Sequence, residues 1–290
     1  MSTFQGTYTA LVTPFINGEI DYDAYAKLIE RQIEGGVEGI VPAGCTGEAA
    51  TMKPEEQLKL IKFAVECAKG RVQVVPGTGS NNTREAIDLS IAANEFDIQG
   101  VLVISPYYNK PSQSGLIKHY SQIADASASP VMVYNVPGRT GVKISPESLA
   151  EMAKHKNIRS VKEACGSVDQ VSEIIARCDL DVLSGDDPLT LPMLSVGAKG
   201  VVSVSSNIAP KEVSTMVRCA LEGDYVSAKQ AHYQLLSLHK SMFVETNPIP
   251  VKTTLVELGY IKNELRMPME VAVESTVEMA RQLIKDHNLK

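Results

Sequence analysis

Short runs of β-branched and aliphatic residues recur along the chain at Tyr8–Val12, Gly39–Val41, Val72–Val75, Val101–Ile104, Val131–Tyr134, Ile158–Val161, Asp181–Leu183 and Val201–Val204. Most are separated by roughly 30 residues, the length of a strand, a crossover helix and a return. The runs are predominantly apolar instead of strictly alternating, the pattern of strands buried on both faces of a parallel sheet. Eight such units predict a closed (β/α)8 TIM barrel. An open doubly wound sheet is the competing architecture, but no G-x-G-x-x-G follows any run.

The intervening segments carry helical signals. Asn82 with Glu85 reads as a capping box, Ser145 precedes Pro146 at a first helical position, and Lys53-Pro54-Glu55-Glu56 opens a helix with Leu58, Ile61 and Val65 on one face. Gly35-Gly36 stops the helix that contains Leu28, Ile29 and Ile33. Beyond about Gly223 the strand signal ends. Helices are expected at Ala228–Phe243, Val251–Leu258 and Met269–Ile284, separated by Asn247-Pro248-Ile249-Pro250 and Met267-Pro268. The expected organisation is a catalytic barrel over 1–223 and a helical C-terminal domain over 224–290, the latter serving packing or subunit contact.

A chain of 290 residues accommodates one barrel with such an extension. The net charge of −6 comes from intermixed acidic and basic residues with no basic stripe, which disfavours a nucleic-acid partner and favours a small molecule. No basic n-region precedes an apolar stretch at the start, and no run approaches the ~18 apolar residues of a membrane span, so a cytoplasmic location away from membranes is expected. Cys45, Cys67, Cys165, Cys178 and Cys219 are scattered without a C-x-x-C spacing, so neither a disulfide framework nor a metal site is expected.

Active sites of (β/α)8 barrels form where strands end and helices begin. That edge should carry Thr13, Gly44-Cys45-Thr46-Gly47-Glu48, Thr78, Tyr107-Tyr108-Asn109, Tyr134-Asn135, Lys162, Gly185-Asp186 and Ser203. Lys162 closes an apolar run, where burial would penalise its ammonium form and leave a nucleophilic amine; a structural lysine paired with Glu163 or Asp186 is the alternative. Tyr134 ends the preceding run and is either a proton shuttle or a core tyrosine. Arg139 follows a turn-forming segment and either meets a carboxylate at the mouth or is solvated. Gly44-Cys45-Thr46-Gly47 offers amides and a hydroxyl to an anion, or is a plain tight turn. Tyr107-Tyr108 marks packing or a subunit contact as readily as catalysis.

Taken together, Gly44-Cys45-Thr46-Gly47-Glu48, Ser105-Pro106-Tyr107-Tyr108-Asn109, Tyr134-Asn135-Val136-Pro137-Gly138-Arg139-Thr140 and Val161-Lys162-Glu163 resemble, in order and spacing, the dihydrodipicolinate synthase and N-acetylneuraminate lyase superfamily of class I aldolases. The resemblance covers essentially the whole chain, and Arg139-Thr140 looks like its synthase branch. It implies condensation of pyruvate with aspartate 4-semialdehyde through a Schiff base on Lys162, towards diaminopimelate and lysine, without metal or organic cofactor. It further implies that Tyr134 relays protons, that Thr46 and its loop amides hold the pyruvate carboxylate, and that Arg139 orients the semialdehyde. Val202 matches an apolar backbone position near pyruvate. Tyr108 matches a tyrosine sent into a neighbouring subunit's site, which implies a homotetramer made of two tight dimers. A pyruvate-dependent aldolase or lyase acting on sugar acids is the enzymatic alternative, and a non-catalytic keto-acid-binding barrel the other.

Two departures from the family pattern stand out. Cys45 occupies the position of a threonine or serine in the hydroxyl relay between the two tyrosines, and a thiol is a weaker donor. Asn81, Glu85 and Tyr107 match positions of an allosteric lysine pocket, whereas Ala49, Pro54 and Gln57 replace the polar or histidine residues of the lysine-sensitive pattern. Lysine is therefore expected to inhibit weakly or not at all. Sub-millimolar inhibition in a steady-state assay would refute this.

Overall fold

The computed structural model describes residues 3–289. Eight parallel strands form one sheet: β1 (Gly6–Ala10), β2 (Gly39–Val41), β3 (Gln73–Val74), β4 (Val101–Ile104), β5 (Val131–Asn135), β6 (Ile158–Glu163), β7 (Asp181–Ser184) and β8 (Gly200–Ser203). Their spatial order is β3-β2-β1-β8-β7-β6-β5-β4. The two outer strands also meet: Leu102 N donates to Pro76 O at 2.8 Å and Thr78 N to Leu102 O at 3.0 Å, closing the sheet into the expected barrel. The first strand lies two residues earlier than its apolar run, because Val12 N donates to Asn207 Oδ1 at 3.1 Å and leaves the ladder.

Eight main helices cover the outside: α1 (Tyr22–Glu34), α2 (Pro54–Ala68), α3 (Thr83–Ala93), α4 (Gln113–Ala126), α5 (Pro146–Met152), α6 (Val168–Arg177), α7 (Thr190–Ser195) and α8 (Pro210–Leu221). Local chemistry sets their starts. Asp21, Ser112, Ser145 and Ser167 accept from amides in the first turns of α1, α4, α5 and α6. Asn82 caps α3 through Arg84 N, but Glu85 accepts from the Asn82 side chain and not its backbone, so the capping box is incomplete. On α2 the buried stripe is Leu60, Ile61, Ala64 and Ala68, with Leu58 and Val65 half-buried at its sides.

Strand alternation divides the apolar residues into two layers. Outward positions pack against the helices. Inward positions, among them Tyr8, Val41, Leu102, Met132, Leu183 and Val202, fill the barrel. Phe4 and Tyr8 plug its N-terminal end edge to face, with ring centroids 6.1 Å apart. They need glycines beside them: a Cβ on Gly39 would lie 2.3 Å from the Tyr8 ring, and one on Gly100 2.5 Å from Phe4 Cζ. With that end filled, the space left for a ligand is at the C-terminal edge.

Three helices follow, α9 (Tyr225–Ser241), α10 (Ile249–Glu257) and α11 (Glu274–Asp286). The last starts five residues later than its periodicity suggested, because Val273 is extended and serves as the cap. This extension, expected to serve packing or subunit contact, reaches the barrel's Gly44–Glu48 loop with charged groups. Lys252 on α10 reaches Glu48 at 2.6 Å, with both side chains 2% exposed, and Arg266 N donates to the same carboxylate at 3.0 Å. Phe15 lies beneath both cations, 4.5 Å from each. The extension therefore grips the Gly44–Glu48 loop. Among the described residues no helix is long and apolar enough to cross a membrane.

Removing one member of a buried ion pair strands the other charge, at a cost of about 3–5 kcal/mol. Lys252→Ala should therefore lower the urea midpoint markedly, and joint replacement as Glu48→Gln with Lys252→Met should recover most of the loss. A change below about 1 kcal/mol for Lys252→Ala would show that the pair does not hold the loop.

Candidate active site

β6 carries Lys162 one position from its end, in register with Tyr134 on β5 and Leu183 on β7. The shared register points all three side chains inward. Lys162 is 5% exposed, and its Nζ lies 4.0 Å from the centroid of the Tyr134 ring. Room for its stem depends on Gly185, where an added Cβ would come within 3.1 Å of Lys162 Cγ and Cε. No ion pair among the described residues includes Lys162. Burial lowers its pKa to about 8, a shift opposed by Cys45 and Asp187 and assisted by Arg139.

The alternative pairings for Lys162 are not formed. Glu163, next in sequence, faces the opposite side of the sheet. Its carboxylate is fully buried and accepts from Asn135 Nδ2 at 3.0 Å, Cys165 N at 2.9 Å and Gln170 Nε2 at 2.9 Å. Burial raises its pKa while these hydrogen bonds lower it. Asp186 is half-buried, with burial and then Asp187 raising its pKa. Asp187, absent from the sequence-based candidates, is 2% exposed and accepts from Ser203 Oγ, Val204 N and Ser205 N, fixing the turn after β8.

Tyr134 is 7% exposed, and burial, the largest influence, together with Cys45 keeps its phenol protonated far above neutral pH. The half-buried Cys45 packs against the inner cluster and is near enough to influence both Tyr134 and Lys162. Thr46, 3% exposed, follows it in a loop that Thr13 secures by donating to Gly47 O at 2.8 Å. The amides of Gly47, Glu48 and Ala49 turn back onto Gly44 and Cys45 carbonyls. Val202, 1% exposed, belongs to the same interior cluster.

Arg139 stands at the mouth in the single helical turn Pro137–Thr140, and its Nη2 donates to Asn247 O at 3.0 Å. Asn247 also donates from Nδ2 to Thr46 Oγ1 at 2.9 Å. Sequence reasoning missed this residue, whose only local signal, Asn-Pro, reads as a helix separator. Lys162, Tyr134, Cys45, Thr46, Arg139 and Val202 are thus brought to one end of the barrel, joined by Asn247 and Asp187.

Tyr108 is elsewhere. It is 89% exposed and holds a left-handed φ of 72°, a conformation that costs a bulky residue energy. With Asn81, Arg84, Asn109 and Gln122 it borders an open depression of about 740 Å³. Asn81 Nδ2 donates to Tyr107 O at 3.1 Å, whereas Glu85 is engaged locally by Ser80 and Asn82. Among the described residues no group of three or more His, Cys, Asp or Glu side chains is arranged to hold a metal.

The pattern of the dihydrodipicolinate synthetase family spans residues 3–287. A 4-hydroxy-tetrahydrodipicolinate synthase from Nitratidesulfovibrio vulgaris is 52% identical, over 92% of each chain. The crystal structure of dihydrodipicolinate synthase from Aquifex aeolicus superposes with a TM-score of 0.97 at 45% identity, covering 99% of both chains. The chloride-inhibited dihydrodipicolinate synthase from Acinetobacter baumannii, solved complexed with pyruvate, is 40% identical with a TM-score of 0.97 over 99% of both chains.

A lysine with a pKa of about 8 becomes nucleophilic as pH rises through that value, so the sign of its pH dependence is fixed. The rate at which a small neutral amine-reactive reagent modifies Lys162, followed by peptide mass, should climb with pH and level off above about 8. A midpoint near the ordinary lysine value of about 10.4 would remove the physical basis of the site.

Proposed function

From its membership of the dihydrodipicolinate synthetase family, we propose that the chain condenses pyruvate with L-aspartate 4-semialdehyde by Schiff-base catalysis on Lys162, as 4-hydroxy-tetrahydrodipicolinate synthases do. The observation that carries this reading is an inward-facing lysine, buried without a carboxylate partner and lying against a tyrosine ring.

The neutral Lys162 amine adds to the keto carbon of pyruvate, forming a C–N bond while the carbonyl oxygen takes a proton. Tyr134, held as a phenol, supplies that proton, recovers one from the nitrogen and passes it to the departing hydroxyl; water leaves, and Tyr134 takes back the last nitrogen proton, so a neutral imine and the phenol remain. Transfer of a methyl proton to the imine nitrogen gives an enamine. Its carbon attacks the aldehyde, whose oxygen is protonated, and the amine of the semialdehyde then closes the ring and displaces Lys162. Thr46 and the Cys45 and Thr46 amides hold the pyruvate carboxylate, with the apolar Val202 strand beside it. Arg139 binds the carboxylate of the incoming semialdehyde, where its planar fork provides two parallel donors.

Cys45 stands in the proton path between Tyr134 and the second tyrosine. Tyr108 supplies that second phenol from a neighbouring subunit, an arrangement supported by its exposure and by the positive φ that projects it. The assembly is accordingly a homotetramer built from tight dimers. The reaction uses no metal and no organic cofactor, and belongs to lysine and diaminopimelate biosynthesis in the cytoplasm. Asn81, Glu85 and Tyr107 form at most a weak lysine site.

The deciding experiment is intact-protein mass after borohydride reduction with pyruvate. Native chain should gain one reduced pyruvate adduct and Lys162→Ala none; equal labelling of both would exclude Lys162 as the nucleophile. Arg139→Ala should raise the KM for the semialdehyde about 10-fold to 100-fold while pyruvate trapping persists, since a charge-assisted contact contributes about 1.5–3 kcal/mol. An unchanged semialdehyde KM would place that substrate's carboxylate elsewhere.

A further inference from the structure

Asn247 touches both arms of the site through chemically separate groups. Its backbone oxygen accepts from Arg139 Nη2 at 3.0 Å, while its side-chain Nδ2 donates to Thr46 Oγ1 at 2.9 Å. Asn247 is 6% exposed and Thr46 3%, so neither polar group has bulk water as a ready substitute. Asn247 Oδ1 is buried without a partner.

A hydroxyl carries one hydrogen and two lone pairs. With one lone pair of Thr46 engaged by an N–H, its own hydrogen points away from Asn247 and is available to an anion. The reverse amide orientation would draw that hydrogen to Asn247 and present lone pairs to the anion. Either orientation leaves one amide atom buried without a partner, Oδ1 in the one observed and Nδ2 in the reverse; the observed one is the one that leaves Thr46 a donor. We propose that Asn247 is a positioning residue that fixes Thr46 as a hydrogen-bond donor to the pyruvate carboxylate, independently of its backbone support of Arg139. The inference rests on the assignment of pyruvate to this site.

The separation between side chain and backbone makes it testable. Asn247→Asp is nearly isosteric but replaces the N–H with an acceptor, which captures the Thr46 hydrogen. Asn247→Ala removes the partner and leaves the hydroxyl free to rotate. A role in donor orientation therefore ranks Asp as the more harmful change, whereas a space-filling role ranks Ala so.

The measurement is the pyruvate concentration giving half-maximal borohydride-trapped adduct, with the semialdehyde KM taken in parallel. Asn247→Asp should raise the former about 10-fold or more and Asn247→Ala about 3-fold, with the semialdehyde KM changed less than about 3-fold in both. In a Thr46→Val background the difference between the two variants should vanish. The reverse order, a matching rise in the semialdehyde KM, or a gap that persists without the Thr46 hydroxyl would each overturn the proposal. Should Asn247→Asp fail to fold, an unchanged half-saturation in Asn247→Ala overturns it as well. Absence of an adduct on the native chain would instead overturn the pyruvate assignment itself, and this inference with it.

Discussion

An amine kept from water and from any carboxylate is the interaction around which the site is organised. Among the described residues two lysines are buried, Lys162 and Lys252. For Lys252, burial lowers the pKa while Glu48 at 2.6 Å opposes the shift by charge and hydrogen bonding. For Lys162 the opposing influences are the Cys45 thiol and Asp187, neither of which forms an ion pair with it. One environment tethers a loop. The other holds a lysine near the point where it titrates, and a group poised there serves proton and carbonyl chemistry.

The barrel supplies that environment by filling one end and leaving the other open. Phe4 and Tyr8 close the floor, and the glycines beneath them are the concession that two large rings require. At the opposite end the C-terminal extension completes the mouth. Lys252 and Arg266 hold Glu48 of the same loop that carries Thr46, while Asn247 ties Thr46 to Arg139. The loop after β2, the turn after β5 and the extension thus form one hydrogen-bonded assembly.

How much of this was legible in the residues follows from the range of each interaction. Strands announced themselves because two-sided burial favours predominantly apolar runs, and the position of Lys162 at the end of one such run indicated a site. Strand ends were less legible: β6 continues through Lys162 to Glu163, two residues past its apolar run, because inward polarity there serves the site and outward polarity is met by Asn135 and Gln170. Asn247 and Lys252 were opaque for another reason. Their partners Thr46 and Glu48 lie 201 and 204 residues away, and no local pattern reports so distant a contact. Asp187 acts chiefly on backbone amides of the next turn, which leave no mark in side-chain spacing. Tyr108 was visible as a motif, but its exposure could only come from the folded chain.

The Val161-Lys162-Glu163 tripeptide shows why a buried amine and a buried carboxylate can be neighbours in sequence without neutralising one another. Consecutive residues of a strand face opposite sides of the sheet. Lys162 therefore enters the barrel while Glu163 enters the layer beneath the helices, where Asn135, Cys165 and Gln170 satisfy its oxygens. A one-residue slip of β6 would exchange them, placing a carboxylate in the site and an ammonium among outer-layer contacts arranged to receive an acceptor. Because Asn135 pairs in register with Glu163, and Tyr134 with Lys162, the two contacts reinforce a single alignment. The same alternation that buries the strand thus fixes its register and keeps Lys162 free of a counter-ion.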